Sequence, residues 1–293
     1  MAIPLYIVDA FTDKPFSGNQ AAVCLLGPNQ VMTDETMQNI AAEMNFSETV
    51  FVTLQKGSFR DASSFGIRWF TPTTEVDLCG HATLASAAVL FFKKGNGNDA
   101  ITFHSRSGKL IVQRNEDDKI FLDFPADPPV KRNTEEFEGL LQACVKDLSL
   151  VHSVHLSKCG NLLVRLVDSY NRIDFEALKP HIDQMTGSES TGSVIGVGLT
   201  LRGSEDNGCV DIQGRVYDFV SRYFTPWRGI AEDPVTGSWH AVSACYWSKQ
   251  LRKKSVYARQ CSLRGGHLWV DVKGDRVLIS GKAVINVEGT FTL

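Results

Sequence analysis

Two short stretches of the sequence place polar residues where they could bind an anion and move a proton on it. The stretches "EVDLCGHAT" and "EDPVTGSWH" each set a glycine five positions after a glutamate and directly before a long apolar run. We expect a helix to begin at each glycine, Gly80 and Gly237, and these glycines allow close backbone approach. The next residues, His81 and Ser238, would then lie beside unpaired backbone N–H groups, which favour a carboxylate or oxyanion. The alternative is a pair of ordinary capped core helices, with His81 bonded to a backbone carbonyl.

A proton carrier is predicted at Glu48, in the stretch "NFSETVFVT". Strand alternation places Glu48 on the same face as Phe46, Val50 and Val52. Burial among apolar side chains raises the pKa of a carboxylate, which lets it donate as well as accept a proton near neutral pH. The alternative is a charge at the exposed start of a strand. A second acid, Asp233, either caps the turn before the second helix or fixes a substrate amine or hydroxyl.

Both helix starts belong to a longer internal repeat. The stretch "RWFTPTTEVDLCGHATLASAAVLFF" from Arg68 matches "RYFTPWRGIAEDPVTGSWHAVSACYW" from Arg222 in the same order. We interpret the chain as a duplicated domain rather than as two unrelated strand–turn–helix units. The predicted domains are residues 1–128 and 129–293, with the alternative that the last strand returns to the first domain. A pseudo-twofold axis between such domains would direct both helix starts into one crevice.

Strands and helices alternate around these residues. Pro4–Phe11 and Glu48–Leu54 are short and rich in β-branched and aromatic residues, which predicts strands. An amphipathic helix follows Thr33 or Asp34 as N-cap. The helix after Gly80 is apolar on every face and should be buried on all sides. These features predict an α+β fold of two similar domains, each a curled, mostly antiparallel sheet or barrel around a central helix.

Composition excludes several classes of function. The chain has 293 residues, 43% hydrophobic content and a net charge of −3, which gives no support for a nucleic-acid or membrane partner. The seven cysteines are dispersed and never form a C-x-x-C pair, so we expect reduced thiols in a cytoplasmic protein. No phosphate-binding G-x-x-x-x-G-K-[ST] motif is present.

The motifs "FSGNQAAVC", "NFSETVFV", "EVDLCGHATLASA" and "EDPVTGSWHA" resemble, in this order and spacing, the PhzF family of phenazine-biosynthesis-like isomerases. The resemblance covers essentially the whole chain. It implies the diaminopimelate-epimerase fold, with two similar α+β domains and the site between them. It also implies a homodimer that works without metal or organic cofactor.

The resemblance assigns roles to individual residues. Glu48 matches the glutamate that moves a proton on a cyclic dienoic amino acid in the family's isomerase. The positions of His81, Asp233 and Ser238 match residues that bind and orient the substrate and help relay the proton. Asn19 would face the same cleft.

Two residues depart from the family pattern. Gln20 stands where a proline is more usual, directly after Asn19. Trp239 stands where small residues are commoner, and we expect its bulk beside Ser238 to reshape the pocket.

Cys79 raises the alternative of an amino-acid epimerase or racemase. Fold relatives with that activity use two opposed thiols, each directly before the glycine of its helix start. Cys79 fills one of these positions, but its counterpart in the repeat is Thr236. A thiol and a hydroxyl have widely different pKa values and make a poor symmetric pair. Cys79 is therefore either a reactive substrate-site thiol, activated by the helix start, or a buried packing residue.

Together these residues predict a cofactor-independent isomerase. It would shift a proton, and with it a double bond, on a small carboxylate-bearing metabolite, with Glu48 as general acid and base. The alternative from another class is a non-catalytic binding or scaffold protein that retains the fold.

Overall fold

The computed structural model describes residues 2–293, which divide into two compact units. The first unit contains the residues up to Asp123 together with Ser280–Leu293, and the second contains Phe124–Ile279. The chain passes from the first unit to the second within one strand, Ile120–Pro125, and returns within another, Arg276–Gly281.

The first unit is built on nine strands that the chain supplies from both of its ends. They are β1 Ala2–Ala10, β2 Asn19–Leu26, β3 Glu48–Thr53, β4 Ser64–Phe70, β5 Glu75–Val76, β6 Ala100–Ser105, β7 Gly108–Arg114, β8 Ile120–Pro125 and β18 Ala283–Thr292. Strand β1 lies between β18 and β2 and is antiparallel to both. The pairs β2–β3 and β4–β6 are parallel, whereas β3–β4, β4–β5, β6–β7 and β7–β8 are antiparallel.

The second unit repeats this order of pairing. Its strands are β9 Val130–Arg132, β10 Val151–Leu156, β11 Asn161–Leu166, β12 Gly196–Arg202, β13 Phe219–Thr225, β14 Ile230–Asp233, β15 Ser255–Gln260, β16 Gly266–Lys273 and β17 Arg276–Gly281. The pairs β11–β12 and β13–β15 are parallel. The pairs β9–β10, β10–β11, β12–β13, β13–β14 and β15–β16 are antiparallel.

Six α-helices complete the two units. They are α1 Asp34–Met44, α2 Gly80–Ala88, α3 Glu138–Val145, α4 Arg172–Ala177, α5 Ile182–Ser188 and α6 Gly237–Leu251. Helix α2 continues into a π-helical turn, Val89–Lys93, and short 3₁₀ turns lie at Thr134–Phe137, Leu148–Leu150 and Pro226–Arg228.

The prediction that a fully buried helix follows Gly80 is confirmed. Every residue of α2 from His81 to Ala88 is buried, and the helix contacts β1, β2, β3 and β18. Helix α6 is buried in the same way from Trp239 to Trp247 and contacts β11, β15 and β16. A helix without a polar face requires cover all round, and the curved strands provide it.

The amphipathic helix α1 starts and ends as its sequence predicts. The hydroxyl of Thr33 accepts a hydrogen bond from the backbone N–H of Thr36 at 3.1 Å, so Thr33 is the N-cap. Asn45 ends the helix in the left-handed conformation, with φ of 52°. The buried residues Met37, Ile40 and Ala41 face the sheet.

Strand β3 is buried on both of its faces, and not only on the face that carries Glu48. All its residues from Glu48 to Val52 are buried, so Thr49 and Phe51 lie inside the protein as well as Val50. Helices α1 and α2 both contact β3. Because its two faces are covered, alternation alone does not distinguish the environment of Glu48 from that of its neighbours.

The internal repeat builds the same local contact in each unit. Arg68 on β4 forms a bidentate ion pair with Glu75, in which both hydrogen bonds are 2.7 Å long. Arg222 on β13 binds Glu232 in the same way, at 2.7 and 2.9 Å. Each guanidinium also lies 5.1 Å from a phenylalanine ring centroid two residues further along its strand. These ion pairs join β4 to β5 before α2, and β13 to β14 before α6.

No helix within residues 2–293 is long and apolar enough to cross a membrane. The seven cysteines, all within this range, are free thiols, and only Cys159 is exposed. The expectation of unpaired thiols is confirmed.

Candidate active site

The imidazole of His81 lies at the centre of a buried polar cluster in the first unit. Its Nε2 atom is 3.1 Å from Glu48 Oε2, 3.2 Å from the carbonyl oxygen of Gln20 and 3.4 Å from Ser47 Oγ. Its Nδ1 atom is 3.1 Å from Asn19 Nδ2 and 3.4 Å from the thiol of Cys79. The structure thus brings together four of the predicted site residues, Asn19, Glu48, Cys79 and His81.

Strand pairing explains how these residues meet. Asn19 begins β2, opposite Ala10 at the end of β1, and the turn before it requires a glycine. Gly18 has φ of +68°, and a Cβ atom there would lie 2.1 Å from the Ala10 carbonyl oxygen. The parallel pairing of β2 with β3 sets Ala21 against Glu48, which brings the starts of both strands to the same edge. Helix α2 begins at this edge and supplies the histidine.

Our prediction that the pKa of Glu48 is raised is wrong. Burial raises the pKa, as expected, since the side chain is only 11% exposed. The positive charge of His81 lowers it by more, and the hydrogen bonds from Ser47 and Cys79 act in the same direction. The pKa of Glu48 therefore falls below its usual value, and the group is a carboxylate at neutral pH.

The imidazole of His81 shifts in the opposite direction. Burial lowers its pKa, but the charge of the Glu48 carboxylate and the hydrogen bond with Cys79 outweigh burial and raise the pKa well above its usual value. An imidazolium needs an acceptor at Nδ1, whereas the amide nitrogen of Asn19 faces that atom. Oxygen and nitrogen of an amide occupy nearly the same space, so rotation of the Asn19 amide supplies the acceptor. His81 and Glu48 therefore form a buried ion pair.

One oxygen of Glu48 has no hydrogen-bond partner. The Nε2 atom of His81 hydrogen-bonds to the Gln20 carbonyl, so its 3.1 Å contact with Glu48 Oε2 is a charge contact only. Within residues 2–293, Oε2 of Glu48 accepts no hydrogen bond, although it is buried. A buried carboxylate oxygen without a donor is costly, and it is available to a proton of a bound molecule.

The thiol of Cys79 is buried and stays protonated. Burial, followed by the nearby carboxylate of Glu48, raises its pKa. The start of α2 therefore does not yield a thiolate, and of the two predicted roles the buried, unreactive one fits this protein better. In the repeat, Thr236 occupies the equivalent N-cap position of α6. Cys79 and Thr236 therefore do not support a racemase mechanism, which requires two opposed thiols.

The second unit holds the other two predicted residues, Asp233 and Ser238. The hydroxyl of Thr236 donates to Asp233, and the side chain of Gln260 bridges the backbone of both residues, at 2.9 Å to Thr236 N and 2.6 Å to Asp233 O. The carboxylate of Asp233 is thus held by the Thr236 hydroxyl, and the two predicted roles of Asp233, turn cap and substrate contact, stay predictions. Ser238 is exposed on the first turn of α6, and its hydroxyl makes no hydrogen bond within the described part of the chain, residues 2–293.

The expectation that Trp239 reshapes a pocket beside Ser238 is wrong. The indole is fully buried, stacks on Tyr223 at 5.4 Å and donates from Nε1 to Ser221 Oγ at 3.0 Å. Gly198 leaves room for it, because a Cβ atom there would lie 2.2 Å from the ring. Successive helical residues point about 100° apart, so Trp239 enters the core while Ser238 faces solvent.

Two members of the cluster, Ser47 and the carbonyl of Gln20, escaped the sequence analysis. Ser47 precedes the first residue of β3, so strand alternation does not apply to it. The Gln20 contact involves the main chain, which side-chain patterns do not reveal. The sequence offered one signal for Ser47: it directly precedes Glu48, the predicted proton carrier.

The cluster also has the composition of a metal site. Ligand atoms of Glu48, Cys79 and His81 all lie within 4.8 Å of one another. Within residues 2–293, no other three histidine, cysteine or acidic side chains are grouped in this way.

Comparison with known proteins identifies the family. The family model described as phenazine biosynthesis-like protein (PhzC-PhzF) matches residues 8–289. The chain is 51% identical to phenazine biosynthesis-like domain-containing protein 1 of Mus musculus and 42% identical to an uncharacterized isomerase of Pseudomonas aeruginosa, over all of each chain. The crystal structure of a PhzF-family protein from Enterococcus faecalis has a TM-score of 0.85 and 35% identity, with both chains fully covered. The mixed α+β architecture is that of these structures, and the chain belongs to the PhzF family of phenazine biosynthesis-like proteins.

Proposed function

We propose that this protein is a cofactor-independent isomerase that shifts a proton, and with it a double bond, on a small carboxylate-bearing metabolite. Glu48 is the group that takes and returns the proton. The observation that carries the proposal is the free oxygen of Glu48, buried beside His81 at the start of α2. The relative in Pseudomonas aeruginosa, named an isomerase, agrees with this class of reaction.

The ionisation of the pair suits proton abstraction. Glu48 is a carboxylate at neutral pH and can accept a proton from a carbon next to a carboxyl or an unsaturated group. The electron pair left on that carbon moves into the conjugated system as an enolate or dienolate. The acid proton on Glu48 exchanges with solvent, and Glu48 then delivers a proton to a carbon further along the system, which relocates the double bond.

His81 compensates the charge that moves. Before the reaction its positive charge faces the carboxylate of Glu48. Once Glu48 is neutral, the negative charge lies on the substrate, and the imidazolium can stabilise it from the same position. The first backbone N–H groups of α2 add fixed dipoles that require no rearrangement.

The substrate contacts that we expected in the second unit stay proposals. Ser238 has an exposed hydroxyl at a helix start, as a carboxylate-binding residue requires. Asp233 is held in a defined position by Thr236. We propose that both residues bind and orient the substrate.

Replacement of Glu48 by glutamine tests the proposal directly. Wild type and Glu48→Gln are incubated with a cell metabolite extract in deuterated water, and deuterium incorporation is followed by mass spectrometry. We expect wild type to label a specific metabolite and Glu48→Gln to label it about 1,000-fold more slowly, because glutamine cannot carry the proton. Glu43→Gln, which changes an exposed glutamate on α1, is the matched control and should label at the wild-type rate. Equal rates in wild type and Glu48→Gln would contradict the assignment, and no labelling by wild type would favour the non-catalytic binding protein.

A further inference from the structure

The second unit contains an open pocket between the end of helix α3 and helix α4. Its volume is about 450 Å³, which lies within the range of small-molecule sites. The apolar part of its lining includes the buried residues Cys144 and Val145 and the half-buried Leu178. Two lysines, Lys146 and Lys179, line the same pocket. None of these residues belongs to the candidate active site.

The charged groups of the pocket leave one positive charge unbalanced. Both lysines are exposed, and neither ammonium group forms an ion pair or a hydrogen bond within residues 2–293. The third charged residue of the lining is Asp174, whose carboxylate accepts a hydrogen bond from Asn171 Nδ2 at 2.7 Å. Two positive charges and one negative charge give the lining a net charge of one positive unit, which favours an anionic ligand.

The backbone holds Lys146 in a strained conformation at the edge of the pocket. Its φ is 57° and its ψ is −50°, values that describe a γ-turn. The N–H group of Asp147 donates to the carbonyl of Val145 at 2.6 Å, and the N–H group of Lys146 donates to that of Gln142 at 3.1 Å. Both peptide groups of Lys146 are therefore fixed. Strained residues held in this way are concentrated at ligand-binding segments.

The part of the pocket formed by helix α4 is also fixed. The guanidinium of Arg222 donates to the carbonyl of Leu178 at 2.7 Å and to that of Phe175 at 3.2 Å. The hydroxyl of Tyr170, which lines the pocket, donates to the carbonyl of Asp174 at 3.3 Å. The pocket is thus formed without a ligand, which lowers the entropy cost of binding one.

We propose that this pocket binds a small organic carboxylate with an apolar or aromatic body. One carboxylate balances the net charge of the lining, and the apolar body covers Val145 and Leu178. A phosphate monoester carries a charge of about −1.5 to −2, which exceeds the charge of the lining and would lie beside Asp174. The proposal does not depend on the proposed isomerase function.

Phenylacetate and its neutral amide, phenylacetamide, test the proposal on the full chain. Isothermal titration calorimetry measures the affinity of each compound, and hydrogen-exchange mass spectrometry locates the bound compound. We expect phenylacetate to bind about 10-fold more tightly than the amide, because only the acid can pair with the two ammonium groups. It should protect residues 142–147 and 170–179 from exchange.

Variants of the lining confirm the position. Lys146→Gln and Lys179→Gln should each weaken phenylacetate binding about 3-fold, and the double variant about 10-fold. Lys254→Gln, which changes an exposed lysine elsewhere in the second unit, is the matched control and should bind as wild type does. Ala177→Trp adds bulk to the lining without a change of charge and should abolish binding. Circular dichroism checks that each variant is folded.

Four results would each overturn the site: equal affinity for acid and amide, unchanged binding by folded Ala177→Trp, an equal loss in Lys254→Gln, and no saturable binding by wild type. Protection confined to the starts of α2 and α6 would also overturn it. That last result would instead support the proposed function, because the carboxylate would then bind at the candidate active site. Protection at the pocket in a protein that labels no metabolite in deuterated water would retain the pocket and reject the isomerase.

Discussion

His240 in the second unit takes the position that Thr83 takes in the first. The hydroxyl of Thr83 donates to the carbonyl of Cys79 at 2.6 Å, and the Nδ1–H group of His240 donates to the carbonyl of Thr236 at 2.7 Å. Both side chains thus bond to the first turn of a central helix. The histidine differs because its second nitrogen, Nε2, is buried without a partner among residues 2–293.

His240 makes the free energy of unfolding depend on pH. Burial, opposed only in part by the bond to Thr236, lowers the pKa of His240 to about 4, whereas an unfolded histidine has a pKa of about 6.5. The unfolded state therefore binds the proton first as the pH falls. The contribution of neutral His240 is complete above about pH 6.5 and declines by about 3 kcal/mol as the pH approaches 4.

His240→Thr, which copies the residue of the first unit, isolates this effect. Unfolding free energies of wild type and variant are measured by denaturant titration between about pH 7 and pH 4. We expect wild type to lose about 3 kcal/mol more than His240→Thr over this range, because all other titrating groups are common to both. Parallel pH profiles would show that His240 is not the buried neutral group described here.

At the scale of secondary-structure elements, hydrophobic periodicity and capping residues in the sequence predicted where helix α1 starts and that helix α2 is buried. Helix α1 follows its Thr33 cap, and α2 is buried all round because it has no polar face. The pKa of Glu48 was predicted in the wrong direction because the sequence does not place His81 beside it. The position of Trp239 was missed for a similar reason: the space for its ring comes from Gly198, 41 positions earlier in the chain.

The repeated ion pairs offer a comparison within one molecule. Arg222 is more buried than Arg68, with side-chain exposures of 8% and 27%. Its guanidinium also donates to three main-chain carbonyls at the end of α4, those of Phe175, Glu176 and Leu178. Arg68 instead has two further partners, the exposed carboxylate of Asp34 and the sulfur of Met37.

Arg222→Lys should therefore cost more stability than Arg68→Lys. Lysine cannot reproduce the two-pronged bond or reach the three carbonyls at once. We expect losses of about 3 kcal/mol for Arg222→Lys and about 1 kcal/mol for Arg68→Lys, measured as changes in the free energy of unfolding. Equal losses would mean that the carbonyls at the end of α4 find other donors.

At the scale of the whole molecule, both chain ends build the first unit. Every residue of β1 has a partner in β18, from Ala2 opposite Thr292 to Ala10 opposite Ala283, with one bulge. Asn286 donates to the buried carboxylate of Asp9 at 2.6 Å. The sequence of the last strand gives no signal of its partner, so its return to the first domain was only an alternative at that stage. The homodimer and the crevice shared by both helix starts stay predictions.

Removal of the last strand tests how strongly the chain ends are coupled. Truncation after Lys282 deletes β18, turns β1 into an edge strand and leaves Asp9 without Asn286. The lost burial and pairing should be on the order of 5 kcal/mol, comparable with the whole stability of a small domain. Hydrogen-exchange mass spectrometry should then show loss of protection in β1 and β2, with the strands of the second unit as internal reference. Glu288→Gln removes the exposed ion pair with Lys93 and keeps an amide oxygen for the Tyr6 hydroxyl, so it is the matched control and should keep protection. If the truncated chain protects β1 as well as the full chain does, the pairing with β18 is dispensable, and the first unit folds without its last strand.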